Sequence, residues 1–215
     1  MRISGWLLCG MGLLTGLTTQ ATGAVSPPMV AKIIQHQFPM NRAELHTLTD
    51  NLFTEYQQQK NIASLIFYSY GMLKLADRFA AENDIIKASE YARSGFFYLD
   101  EAAELYENDP RVRYLRARVD AFLTATPGRC VIALSDTQFI LNTAMKDDGD
   151  MLSHVQYMRY RALHNCGQFK QAAALLTQIK QTHPHLTSLS LALNAVPEWD
   201  AGEVTKIVLP LAWGK

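Results

Sequence analysis

Apolar positions recur at intervals of three and four through most of the chain, the period of helices with one buried face. Val30, Ile33, Ile34 and Phe38 share one face of a short first element, begun by Ser26-Pro27-Pro28 and ended by Pro39. Asn41 and Glu44 have capping-box spacing. Leu45, Leu48, Leu52, Phe53 and Tyr56 follow, and polar residues 57–61 interrupt the pattern before a stripe that includes Ile62, Leu65, Ile66, Leu73 and Ala76. Beyond the turn at Asn83-Asp84 lies the most regular stripe, from Ala88 through Gly95 and Leu99 to Tyr106. Glu90, Arg93, Asp100, Glu101 and Glu104 lie opposite it, as a helix with one solvated face requires.

Asp109-Pro110 opens the next helix as cap and first-turn proline, with Tyr114, Leu115, Val119 and Phe122 on its apolar side. Thr126-Pro127-Gly128 breaks the pattern, and residues 130–145 form the partner helix. Lys146 to Asp150 is a charged turn. Residues 151–165 and 168–182 make a further pair, joined at Gly167, whose backbone is free to take positive φ, and closed by Pro184. The pattern predicts an all-α fold of antiparallel helix pairs with an irregular or extended C-terminal tail. Leu186, Leu189, Leu191 and Leu193 fit neither period cleanly, and a short helix is the expectation there. Val204–Trp213 reads as an extended apolar tail or an edge strand, because Pro210 argues against a central one.

The first residues follow a different logic. Arg2 gives a positive start, Trp6 to Leu17 is an apolar run of signal-peptide length, and Thr22-Gly23-Ala24 offers a cleavage site after Ala24. The alternative is an uncleaved N-terminal anchor. A lipid anchor at Cys9 is disfavoured by the large Leu8 before it. The chain then divides into a signal (1–24), N-terminal helices (25–60), repeated helix pairs (61–184) and a C-terminal helix with an apolar tail (185–215). Of 215 residues, 48% are apolar, enough for a packed core. Basic and acidic residues balance at 20 each, so no net charge steers the chain to nucleic acid or anionic lipid.

The segment from Tyr160 to Ile179, closing on Pro184, resembles a tetratricopeptide repeat: Gly167, Phe169, Ala172, Leu176 and Pro184 occur in that family's order. Small residues allow the helices to cross closely and large ones fill the gaps. Ile179 departs from the pattern where a small residue is usual, as does Tyr160 in the first helix. Eroded copies align at Gly128, Ala133 and Ile140, and at Asn83, Ile85 and Ala88. The resemblance implies a right-handed solenoid with a partner-binding groove. In such a groove His154, Tyr157, Arg161 and His164 would lie along one lining face, and an ordinary solvent face is the alternative. Phe97, set among charged residues, is either a second contact or covered by a neighbouring helix.

Cys130 and Cys166 remain after signal removal, and export favours a disulfide between them over two free thiols. The repeat register places both at the same end of adjacent helices. A bridge there closes a loop of ~35 residues, worth about 3–4 kcal/mol on the chain-entropy account.

No phosphate loop, dinucleotide fingerprint, zinc-protease motif or nucleophile elbow occurs. Lys146-Asp147-Asp148-Gly149-Asp150 lacks the spaced ligands of a calcium loop. His183-Pro184-His185 lacks the four ligands of a structural zinc site and reads as a surface loop. Arg111, Arg113, Arg116 and Arg118 fall on two faces of their helix, which suggests salt bridges rather than a phosphate stripe. These readings predict no catalytic, metal or cofactor site and no nucleic-acid partner. They describe a periplasmic or secreted adaptor for a protein or peptide, reaching a membrane only through an envelope partner. The alternatives are a structural homo-oligomer joined by Val204–Trp213 and an enzyme accessory subunit.

Overall fold

The structure, a computed structural model, describes residues 27–123, 128–193 and 195–214. The signal at 1–24, Ser26, and the Thr126-Pro127 part of the predicted break lie outside the described residues. Among the described residues there is no strand, and the fold is all-α. Eight helices run in order: α1 Met29–His36, α2 Arg42–Gln59, α3 Ile62–Ala81, α4 Ile85–Leu105, α5 Pro110–Phe122, α6 Arg129–Leu141, α7 Gly149–Asn165 and α8 Phe169–Thr182. The helices predicted from the apolar period are all present. Short 3-10 turns occupy Ala144–Asp147 and Thr187–Ser190.

Local chemistry sets the helix ends. Asn41 accepts from the amides of Ala43 and Glu44, Asn61 from Ser64, Asp84 from Lys87 and Asp109 from Arg111. Each satisfies backbone donors that the first turn leaves unpaired. The charged turn at 146–150 has the same role, since Asp148 caps α7 by accepting from Met151 N. Gly167 adopts φ 72°, which turns the chain between α7 and α8.

Contacts fix the relative directions. Glu55 accepts from Ser64 Oγ near the α2–α3 turn, and Thr49 lies against Gly71 further away, so α2 and α3 are antiparallel. A Cβ on Gly71 would sit 2.3 Å from Thr49 Oγ1; glycine is what permits this crossing. Phe79 stacks on Tyr91 and Tyr68 meets Tyr98, giving an antiparallel α3–α4 pair. Arg113 reaches Asp136 while Asp120 reaches Arg129, and the α5–α6 pair is antiparallel too. Cys130 at the start of α6 is bonded to Cys166 at the end of α7, with Cα atoms 5.6 Å apart.

Alternate helices also touch. Along one side α1 meets α3, α3 meets α5, and α5 meets α7. On the other side α2 meets α4 through His46–Tyr91 and Phe53–Tyr98, and α4 meets α6 through Asp100–Arg129. The odd-numbered helices therefore form a row backed by the even-numbered ones. The core lies between them, with Phe67, Leu65, Ile66, Tyr114, Leu115, Met151 and Met158 among its fully buried side chains.

The C-terminal segment corrects the extended-tail expectation. Residues 195–200 are extended, but the rest is helical: Ala201–Glu203, a π-helical turn Val204–Val208, and Leu209–Ala212 run on as one helix, α9. Asp200 and Glu203 form a capping box at its start. Pro210 lies just beyond the π turn, in the first turn of the last α segment, where a missing N–H is tolerated. Ile207, Val208, Leu211 and Ala212 are buried, each larger side chain contributing about 1.5–3 kcal/mol of transfer free energy.

Candidate functional site

α9 crosses the row of odd-numbered helices. Its first residues pack on α7, its π turn on α5, and its last turn on α3 and α1. The extended stretch before it lies on the same face. The face is thus occupied by a segment of its own chain, and the contacts that hold the segment define what the face recognises.

The central contact is a buried ion pair. Glu203 Oε1 accepts from Arg118 Nε at 2.9 Å and from Tyr114 Oη at 2.8 Å, with both charged side chains 4% exposed. The other oxygen, Oε2, accepts from the Asp200 amide at 2.9 Å, so both carboxylate oxygens have partners. Arg118 Nη2 donates to the carbonyls of Pro197 at 2.7 Å and Glu198 at 3.3 Å. Its guanidinium lies 3.7 Å from the centre of the Trp199 ring, a cation–π contact within a desolvated site. Trp199 also stacks on Phe67 at 5.7 Å and Tyr70 at 6.3 Å. Burial, then the charge of Glu203, pushes the Tyr114 phenol well above its ordinary value of 10.0, which keeps it a donor.

The residues expected to line a groove belong to α7 of this row. Arg161 is buried and donates from Nη1 to the Ala195 carbonyl at 3.3 Å, while its Nε has no hydrogen-bond partner. His154 Nε2 lies 3.6 Å from Asp200 Oδ1. Tyr157 is buried against Phe122 and Tyr160. His164 sits apart, against Phe169 beside the α7–α8 turn. Two of the four thus contact the tail directly. Phe67, Tyr70, Tyr114 and Arg118 complete the site, and sequence reasoning missed them in this role because their spacing marks them equally well as core. Asp200 and Glu203, with cap-and-third-residue spacing, were the signal that α9 starts there.

The remaining candidates have other surroundings. Arg113 and Arg116 do form the predicted salt bridges to a neighbouring helix. Asp136 accepts from Arg113 Nη1 at 3.0 Å and from Arg116 Nε at 2.7 Å; Asp100 accepts from Arg116 and Arg129, and Asp120 from Arg129 through both oxygens at 2.8 Å. Burial pushes the Asp120 carboxyl up to about 7 against the opposing effect of Arg129. Arg111 pairs with Asp109 at 2.7 Å. A cleft of about 400 Å³ between α4 and α6 is lined by Asp100, Glu104, Arg116 and Val131, and two of these polar groups belong to the network just described. Phe97 is 62% exposed on α4, so no neighbouring helix covers it. Among the described residues no three His, Cys, Asp or Glu side chains gather as metal ligands. No described helix is long and apolar enough to cross a membrane.

Compared with protein-family models, curated proteins and solved structures, the chain matches none of them.

Proposed function

We propose that the protein is an exported adaptor of the tetratricopeptide-like kind, binding a segment of an envelope or secreted protein on the face formed by α1, α3, α5 and α7. One observation carries the reading: this face holds a helix laid across all four of its members, through a buried ion pair, aromatic stacking and apolar side chains. Those are the ingredients of helix-in-row recognition, with aromatic and arginine anchors at the centre. The Cys130–Cys166 bridge is compatible with an oxidising compartment outside the cytoplasm, which supports the export part of the reading.

Affinity capture from an envelope fraction tests the proposal. The wild type is compared with Arg118→Gln and Arg161→Gln on the face, and with Phe97→Glu on the far side as a control. Helix content by circular dichroism confirms that each variant is folded. A partner retained by the wild type and Phe97→Glu but lost from both arginine variants supports the reading. Equal recovery from all four proteins refutes it. Loss only from Phe97→Glu moves the contact to the outer side of α4 and refutes this face.

A further inference from the structure

Three properties of α9 separate it from the helices it lies on. Its sequence is a poor helix former: Val204, Thr205, Ile207 and Val208 are β-branched, Gly202 is flexible, and Pro210 lacks an amide. A helix of this length is marginal by itself even with good helix formers, so α9 is helical because the face holds it. Its hydrogen-bond ladder is broken by the π turn at Val204–Val208. Finally, Leu191 and Leu193, in the segment leading to it, remain exposed, leaving that approach loosely packed.

The clamp at Arg118 has a complementary character. A buried ion pair recovers little more than its own desolvation cost, while a mismatched occupant would leave Arg118 buried without a counter-charge. The pair therefore contributes selectivity to the face more than strength to the fold. A weakly helical segment held by a selective contact is readily replaced by a stronger helix making the same contact.

We propose that α9 is an internal stand-in for the partner, and that the partner is an amphipathic protein helix that displaces it. The segment it fits carries an aromatic residue, then a carboxylate four positions later for Arg118 and Tyr114. Apolar residues follow four, five and eight positions after the carboxylate, as Ile207, Val208 and Leu211 follow Glu203. This inference rests on the reading of the face as a binding site and specifies the occupant. Displacement makes the face accessible only where a better helix is present, because partner binding must first release α9.

A labelled synthetic peptide of residues 195–214 tests this on the full chain by fluorescence anisotropy. Two variants weaken the resident segment without altering the face, Glu203→Gln and Trp199→Ala. Both should bind the peptide at least tenfold more tightly than the wild type does, and a peptide carrying Glu203→Gln should bind each of them at least tenfold more weakly than the native peptide. Unchanged helix content and an intact Cys130–Cys166 bridge establish that the stack is folded. Failure of both folded variants to bind the native peptide above wild-type level overturns the inference, and equal binding of the two peptides overturns the carboxylate requirement. Peptide exchange without a face-dependent envelope partner upholds the displacement but defeats the adaptor reading. A face-dependent partner without peptide exchange does the reverse.

Discussion

Arg129 and Arg118 are both buried among carboxylates, but their surroundings differ. Arg129 donates to both oxygens of Asp100 and both of Asp120, between 2.7 and 3.1 Å, and Arg116 joins the cluster through Asp136 and Asp100. All these residues come from α4, α5 and α6, within positions 100–136. Arg118 has a single carboxylate, Glu203, 85 positions away on a segment with weak helix propensity, and takes its other bonds from that segment's backbone. The first arrangement is redundant, so it fixes how the helices stack. The second depends on one residue of a docked segment, so it fixes what lies on the stack.

The sharpest break in this comparison is Asp136→Ala. It removes the shared acceptor of Arg113 and Arg116 in a site with no solvent, and should cost about 3–5 kcal/mol in urea unfolding. Next comes Cys130→Ser/Cys166→Ser, which opens the loop closed across 36 positions and should cost about 3–4 kcal/mol. Glu203→Gln should cost less, about 1–2 kcal/mol in global stability, because α9 can leave and let Arg118 meet water before the stack unfolds. Its signature is local: amides of residues 204–212 lose hydrogen-exchange protection while those of α5 keep theirs.

The smallest effect belongs to the exposed pair Asp148–Lys206, which joins the cap of α7 to the π turn. The hydrogen bond from Lys206 holds the Asp148 carboxyl below its ordinary range. A depressed carboxylate stabilises the fold above the unfolded value of about 3.9, and the contribution is lost as pH falls through the lower folded value. Lys206→Ala should therefore loosen α9 slightly at neutral pH in hydrogen exchange. Its difference from the wild type should vanish under strong acid.

The same contrast explains what the sequence made legible. From Met29 to Thr182 each helix carries its own apolar stripe and caps, so local pattern and fold agree. The disulfide was legible because export and helix register pointed to the same pair. α9 was not, since its β-branched residues and Pro210 oppose a helix and only packing on α1, α3, α5 and α7 makes it one. On the site side, the spacing of His154, Tyr157 and Arg161 identified the correct face of α7. Arg118 was read as a salt-bridging residue, correctly, but the identity of its partner lies in a segment too distant for local pattern to connect.

Hydrogen exchange on the wild-type protein tests the central claim that α9 is an occupant of the face rather than a permanent part of the stack. The account predicts that amides of residues 204–212 are protected but exchange at least a hundredfold faster than the central amides of α3 and α5, through an opening that leaves the stack folded. Exchange of α9 at the same rate as α5, in one global unfolding event, would contradict it.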